Sequence, residues 1–187
     1  MIRVYFDTET TGFANSGTLA EQPHIVQLAA ILVDDEEGEL ASMNTIIKPT
    51  GWEVGSGAAA VHGISTEKAS RFGIPILTAM AMFSNLCRVA EQVVAHNINF
   101  DRKLVGFEVD RLDRENILET KPQFCTMDAT TNICKIRNKR GGYKWPKLSE
   151  AHIHFFGEDF TGAHDALADV RACARIHKHL IEQGIVK

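Results

Sequence analysis

Asp7 and Glu9 stand two residues apart where the first apolar run, Ile2 to Phe6, ends. If that run is a strand, residues i and i+2 point to one face, so the two carboxylates share one side of a sheet. Two anions held that close raise each other's pKa unless a cation lies between them. A hard divalent ion suits the pair, because Mg²⁺ binds through one or two carboxylates plus substrate phosphates. The pair alone is a weak signal. In a chain with 24% charged residues, Asp-x-Glu turns up roughly once by chance. Two solvated acids at a strand end are the plain alternative, and residues far downstream weigh against it.

The segment Gly162 to Val170 opens the last helix, which runs to about Gly184, a stop signal. At 3.6 residues per turn Ala166, Asp169, Cys173, Ile176 and Leu180 form one stripe, with Arg171, Arg175, Lys178 and Glu182 opposite. Asp169 is therefore an acid on an inward face. Such a carboxylate is costly unless paired or bound to metal, so it needs a cation, either a metal or an Arg or Lys from elsewhere. His164 lies five residues earlier, roughly 140° away on a continuous helix, and is placed on the loop before it. A third acid, Asp101, follows a short apolar strand and falls in the first turn of a helix whose inward stripe is Phe100, Leu104 and Phe107. An Asp there also suits the helix dipole for structural reasons alone.

Three segments taken in order, Phe6-Asp7-Thr8-Glu9-Thr10-Thr11-Gly12, His96-Asn97-Ile98-Asn99-Phe100-Asp101 and His164-Asp165-Ala166-Leu167-Ala168-Asp169, resemble the three exonuclease motifs of the DEDD (DnaQ-like) superfamily. The histidine in the last resembles the DEDDh branch, in which His is the general base. Val61-His62-Gly63-Ile64-Ser65 is similar to the Val-His-Gly-Ile-Thr segment that lines that branch's terminal-nucleotide pocket. The match spans Asp7 to Asp169, with no departure at a metal or base position. It implies an α/β RNase H-like fold, a mixed five-stranded sheet covered by helices on both faces. It also implies two divalent ions, Mg²⁺ or Mn²⁺, which in such sites lie about 3.5 to 4 Å apart and clamp the attacking and leaving oxygens of a phosphoryl displacement. By that resemblance Asp7 bridges both ions, Glu9 and Asp169 hold the one carrying the nucleophilic water, Asp101 supports the second, and His164 takes the water's proton. Thr10, Thr11, Gly12, Phe13, His62 and Phe100 become the substrate-binding residues, with Phe13 wedged against the terminal bases. The reaction implied is hydrolysis of the last phosphodiester at a 3′ end to release a nucleoside 5′-monophosphate, with single-stranded DNA ends favoured over RNA.

The elements that must position these residues are legible in outline. Strands are expected at Ile2 to Phe6, Ile25 to Asp34, Ala41 to Lys48, Gln92 to Ala95 and Phe124 to Met127. Helices are expected near Pro75 to Val89, from Phe100, near Lys147 and around His164, and Glu36-Glu37-Gly38-Glu39 marks the turn of a hairpin. Three strands with short turns, then strands alternating with helices, argue for a mixed sheet with helical cover. Asp7 then lies at the carboxyl end of a strand, where such sheets place ligands. With 187 residues and 44% hydrophobic content, one domain over residues 1–187 is expected, since a chain near 150 residues already buries roughly 70% of its surface. The N-terminal apolar run is too short for a membrane span or signal peptide. Cys87, Cys125, Cys134 and Cys173 have no Cys-x-x-Cys spacing and read as reduced thiols, which points to a cytoplasmic protein. His152-x-His154 and His177-x-His179 lack matched acids or cysteines and are read as surface residues. The chain ends soon after its last helix, which favours a freestanding enzyme over one tethered to a polymerase and leaves a homodimer open.

Net charge is −4, unusual for a nucleic-acid enzyme until four acids are offset by two divalent ions. Lys135, Arg137, Lys139, Arg140, Lys144 and Lys147 form a basic stretch with no acid inside it, interleaved with Tyr143 and Trp145. Cations to track phosphates and aromatics to stack on bases are the parts of a single-strand channel, though a solvated loop has the same composition. A glycosidase needs two carboxylates but not four with a motif-placed His. A catalytically weak binding or scaffold module of the same fold would lack one of Asp7, Glu9, Asp101, Asp169 and His164, and a related endonuclease would lack His164 in this setting.

Overall fold

The computed structural model describes residues 1–186. Its centre is β1 (Ile2–Thr10), whose Val4, Tyr5 and Phe6 are all buried. A strand buried on both faces must be covered on both, and it is. β2 (Ile25–Asp34) pairs antiparallel on one side and β4 (Gln92–Ala95) parallel on the other. β3 (Gly38–Ile46) and β5 (Gln123–Cys125) complete a five-stranded sheet in the order β3-β2-β1-β4-β5. The β2–β3 turn is held by the Asp34 carboxylate, which accepts from the Glu36 and Glu37 amides at 2.9 and 3.2 Å. Gly38 closes it at φ 89°, a left-handed conformation that glycine takes without a Cβ clash.

Strand alternation divides the core. Val4, Phe6, Leu28 and Ala30 face α3 (Ile76–Val89) and α4 (Ile98–Arg111), packing on Met80, Phe83, Leu104 and Val105. Tyr5, Ala29, Ile31 and Val94 face the other way, onto Ala166, Val170 and Cys173 of α7 (Ala166–Glu182). Outside α7 lies α6 (Leu148–Phe156), joined to it through Ala151, Ile176 and Leu180. The expected mixed sheet with helices on both faces is therefore present. Among the described residues no helix is long and apolar enough to cross a membrane, and all four cysteines are free.

The structure corrects several expectations. β3 starts at Gly38, not Ala41, because the turn is tighter than a charged run suggests. The fifth strand stops at Cys125 and the chain becomes α5 (Thr126–Cys134). Thr130, Thr131 and Asn132 are poor helix formers, and the Thr130 and Thr131 hydroxyls instead donate back to Thr126 and Met127 carbonyls. Two short helices, α1 (Ser56–His62) and α2 (Thr66–Phe72), were not legible at seven residues each. His152 and His177, read as surface residues, are 1% and 0% exposed. Helical i, i+2 spacing puts only one member of each pair inward. His177 Nδ1 lies 3.0 Å from the Tyr5 hydroxyl, and its ring stacks on Phe124 at 4.3 Å. Burial pulls its pKa down to about 4.

The α1–α2 pair matters because it carries His62, and one glycine lets it sit against the sheet edge. A Cβ on Gly73 would meet the Ala69 carbonyl oxygen at 2.4 Å and the Lys48 amide nitrogen at 2.5 Å. Both are backbone atoms and cannot swing away. Gly73→Ala should therefore destabilise the protein by about 1–3 kcal/mol, as overpacking does. Thermal unfolding checks this, and an unchanged melting temperature would show that the edge can give way.

Candidate active site

β1 presents its odd and even residues to different layers. Asp7 and Glu9 share the α7 face with Tyr5, whereas Thr8 turns toward α4 and is buried. There the Thr8 amide and hydroxyl both donate to Asp101 Oδ1, at 3.0 and 2.7 Å. Asp101 is only 2% exposed. It reaches this position because Asn97 takes a left-handed φ of 68° and turns β4 directly into α4. A register shift at Glu9/Thr10 pairs Thr10 with Ile25 and skips Val26. Such bulges re-aim side chains beside active sites.

α7 brings the remaining groups. Asp165 caps it, accepting from the Leu167 and Ala168 amides at 3.1 and 3.2 Å. Buried Gln27, opposite Glu9 on β2, receives the Ala166 amide on its Oε1 at 3.4 Å and donates Nε2 to Asp165 at 3.3 Å. His164 lies on the turn before the helix, as expected, exposed and at φ 70°. One ligand atom from each of Glu9, His164 and Asp169 lies within 4.8 Å of the others. Asp169 Oδ1 is buried and has no hydrogen-bond partner. Among the described residues no Lys or Arg lies within ion-pair distance of Asp7, Glu9, Asp101 or Asp169. The salt-bridge explanation of Asp169 is thereby removed.

An exonuclease family model, RNase T, matches residues 4–177. The chain belongs to this exonuclease family, within the DnaQ-like superfamily. It is 29% identical to an uncharacterised exonuclease, CP81, of Escherichia phage 186, over 97% of this chain and 89% of that protein. Among solved structures it resembles E. coli exonuclease I in complex with a dT13 oligonucleotide, with a TM-score of 0.78 and 21% identity over 96% of this chain. A zinc-ion-bound form of the E. coli exonuclease I–single-stranded DNA complex superposes with a TM-score of 0.76 and 22% identity over 97% of this chain. At that identity the likeness establishes the RNase H-like fold. This chain spans 40% of the length of each of those two exonuclease I chains.

The residues expected to bind substrate fall into two groups. Phe13 is 84% exposed and meets half-buried Phe100 edge-on at 5.9 Å. His62 is buried; its Nδ1 accepts from the Ile64 amide at 3.2 Å, which leaves the proton on Nε2, and Nε2 has no partner. Burial lowers its pKa, with the Thr10 backbone acting the other way. The hydroxyls of Thr10 and Thr11 are engaged with Gly12 and the His24 amide, so these residues shape the loop. A Cβ on Gly12 would meet nothing within 4 Å, so open space surrounds it. Sequence reasoning missed Thr8, Gln27 and Asp165. Gln27, a polar residue inside an apolar strand, and Asp165, an Asp directly before a periodic helix, were the available signals.

The four acids crowd one another. Asp7 is held well above the usual carboxylate range, first by burial and then by Asp101, Asp169 and Glu9. Burial, then Asp169 and Asp101, push Glu9 up to about 8. Burial raises Asp101 to about 7 against the two Thr8 hydrogen bonds, and Asp169 to about 6 against the backbone and imidazole of His164. A set of hard oxygen donors that cannot all ionise at neutral pH, one with an orphaned oxygen, fits a divalent cation.

The stability consequence has a definite sign. Each acid titrates near pH 4 when unfolded and higher when folded, so between those values the metal-free folded state holds protons that the unfolded state has released. Stability present below about pH 4 is therefore lost as pH rises toward about 8, the value reached by Glu9. In EDTA the melting temperature should fall across this window, Mg²⁺ should raise it most at the alkaline end, and Asp7→Asn should flatten the metal-free slope. Stability rising with pH in EDTA would contradict the crowding.

Proposed function

We propose that the chain is a 3′–5′ exonuclease of the DEDDh kind, removing nucleoside 5′-monophosphates from single-stranded ends, DNA before RNA. The observation that carries this reading is a set of four acids from three separate segments, each without a cationic partner: Asp101, Asp169 and Glu9 act on Asp7, and His164 lies beside Glu9 and Asp169. The exonuclease I complexes with single-stranded oligonucleotides and with zinc support it.

Asp7, Glu9, Asp101 and Asp169 would hold two divalent ions, Mg²⁺ or Mn²⁺. When bound, these supply positive charge to the attacking and leaving oxygens of an in-line displacement. The protein's own groups do the rest. His164, exposed on its turn, accepts the proton of the attacking water as the new P–O bond forms, and the bond to the 3′ oxygen breaks. Thr8 fixes Asp101, and Gln27 with Asp165 fixes the turn from which His164 reaches in. Phe13 and Phe100 offer apolar faces to the terminal bases. His62, buried beside the Thr10 backbone, would back the wall of the terminal-nucleotide pocket.

Asp7→Ala, Glu9→Ala, Asp101→Ala and Asp169→Ala should each cut nucleotide release about a thousandfold, because several kcal/mol of transition-state stabilisation leaves with the ions. The fold should survive, since removing one anion relieves its neighbours. Release assays with folding checked by circular dichroism test this, and full activity in EDTA would sink the metal reading. A 3′-terminal phosphate should block the enzyme and a circular strand should survive; cleavage of the circle would point to an endonuclease.

His164→Ala should lose about 10²- to 10⁴-fold in rate while keeping metal and substrate affinity, and should recover partly as pH rises and hydroxide replaces the missing base. Weakened metal binding, with normal turnover once metal saturates, would make His164 a ligand instead.

A further inference from the structure

The loop between α5 and α6 is a small hairpin. Arg137 and Tyr143 form an antiparallel bridge, the Lys144 amide donates to the Ile136 carbonyl at 2.9 Å, and the Asn138 amide donates to Gly142 at 3.0 Å. Residues directly opposite in an antiparallel pair share a face, so Arg137 and Tyr143 project together. Lys144 takes the other face, where its Nζ binds Glu150 Oε1 and Oε2 at 2.5 and 2.8 Å. Alternation then returns Trp145 to the side of Tyr143. Tyr143 and Trp145 are 44% and 67% exposed. Lys135, Arg137, Lys139, Arg140 and Lys147 are also exposed, and among the described residues none has a carboxylate within ion-pair distance.

The foot of this hairpin is fastened to the active-site loop. Pro146 is buried, and its carbonyl accepts from His96 Nε2 at 3.0 Å. Since a carbonyl cannot donate, Nε2 carries the proton and Nδ1 is free to accept from the Thr126 hydroxyl at 2.9 Å. His96 opens the segment that ends in Asp101, and Thr126 opens α5. The hairpin is thus tied at its base to both elements.

We propose that this hairpin is the strand-capture arm of the enzyme, binding the phosphates and bases of single-stranded nucleic acid on the 5′ side of the terminal nucleotide. The proposal rests on the exonuclease reading and adds the surface that reading lacks. The charge of bound ions is taken up by the four acids that hold them, and the chain as a whole carries −4, so the strand beyond the cleavage site needs attraction from elsewhere. Attraction must come from a separate cationic surface. A row of unpaired cations beside two exposed aromatic rings matches a partner with a repeating anion and flat apolar faces, which a single strand has and a stacked duplex hides.

The test is the salt dependence of oligothymidylate binding, with cleavage silenced by Asp7→Asn in every protein compared. Replacing Arg137, Lys139 and Arg140 together by Ala should reduce the slope of log K against log salt by about 2, near 0.7 per cation lost on a single strand. Trp145→Ala should weaken binding roughly tenfold, the scale of one lost base stack, with the slope kept. Arg137→Lys with Arg140→Lys should preserve the slope, which separates charge from hairpin shape. With Asp7 present, the triple variant should also lower the ratio of kcat/KM for long oligothymidylates to that for the dinucleotide. An unchanged slope and ratio in the triple variant, or an equal loss in the charge-keeping variant, would overturn the proposal. If the parent enzyme releases no nucleotide from any strand while the slope still falls, the exonuclease reading fails and the hairpin remains a single-strand-binding surface.

Discussion

Four carboxylates held at the end of one strand repel one another, and much of the surrounding structure opposes that repulsion. Asp7 and Glu9 cannot separate, because strand geometry places them on one face and β2 and β4 hold β1 from both sides. Asp169 cannot retreat, because the stripe that carries it also carries Cys173, Ile176 and Leu180 into the core. Asp101 is fixed on the far side by two hydrogen bonds from Thr8. The cost appears as pKa values displaced upward in all four groups, each led by burial. A cation of high charge density relieves burial and repulsion together, which a single surface lysine would not.

Polar residues that touch no metal candidate do the holding. Gln27 joins the β2 strand to the start of α7, and His96 joins the end of β4 to Pro146. On the other flank Arg111 donates to the carbonyls of Leu19, Gln22 and Pro23, while buried Glu108 accepts from Arg111 and from the Ile25 amide. This network pins the loop that presents Phe13, so an exposed aromatic stands on a fixed base. Fixed supports matter because positioning alone can supply a large part of a rate enhancement.

The catalytic candidates were more legible in the sequence than their supports. Asp7, Glu9, Asp101, Asp169 and His164 became legible together, because three segments in order resemble known exonuclease motifs, whereas each acid alone has a plain structural reading; the long helices and strands announce themselves by their apolar periodicity. α1, α2 and α5 did not, since seven to nine residues carry too few turns for periodicity to register, and tertiary contacts override weak propensity. His152 and His177 misled for a related reason. Each was read as a surface residue together with its neighbour two positions on, His154 or His179, but which member of an i, i+2 pair turns inward depends on the packing of α6 on α7 and of α7 on Tyr5. The partnership of Thr8 with Asp101 joins residues 93 apart in sequence, and no local signal encodes it.

On the proposed mechanism burial, reinforced by crowding, keeps part of this carboxylate set protonated near neutral pH, and the set ionises fully when divalent ions bind. Isothermal titration of Mn²⁺ into the protein near neutral pH, repeated in buffers of different ionisation enthalpy, counts ions bound and protons released. Two ions per chain with net proton release, both diminished in Asp7→Asn, is the result the proposed mechanism predicts. Binding without proton release, or binding that survives Asp7→Asn unchanged, would contradict it.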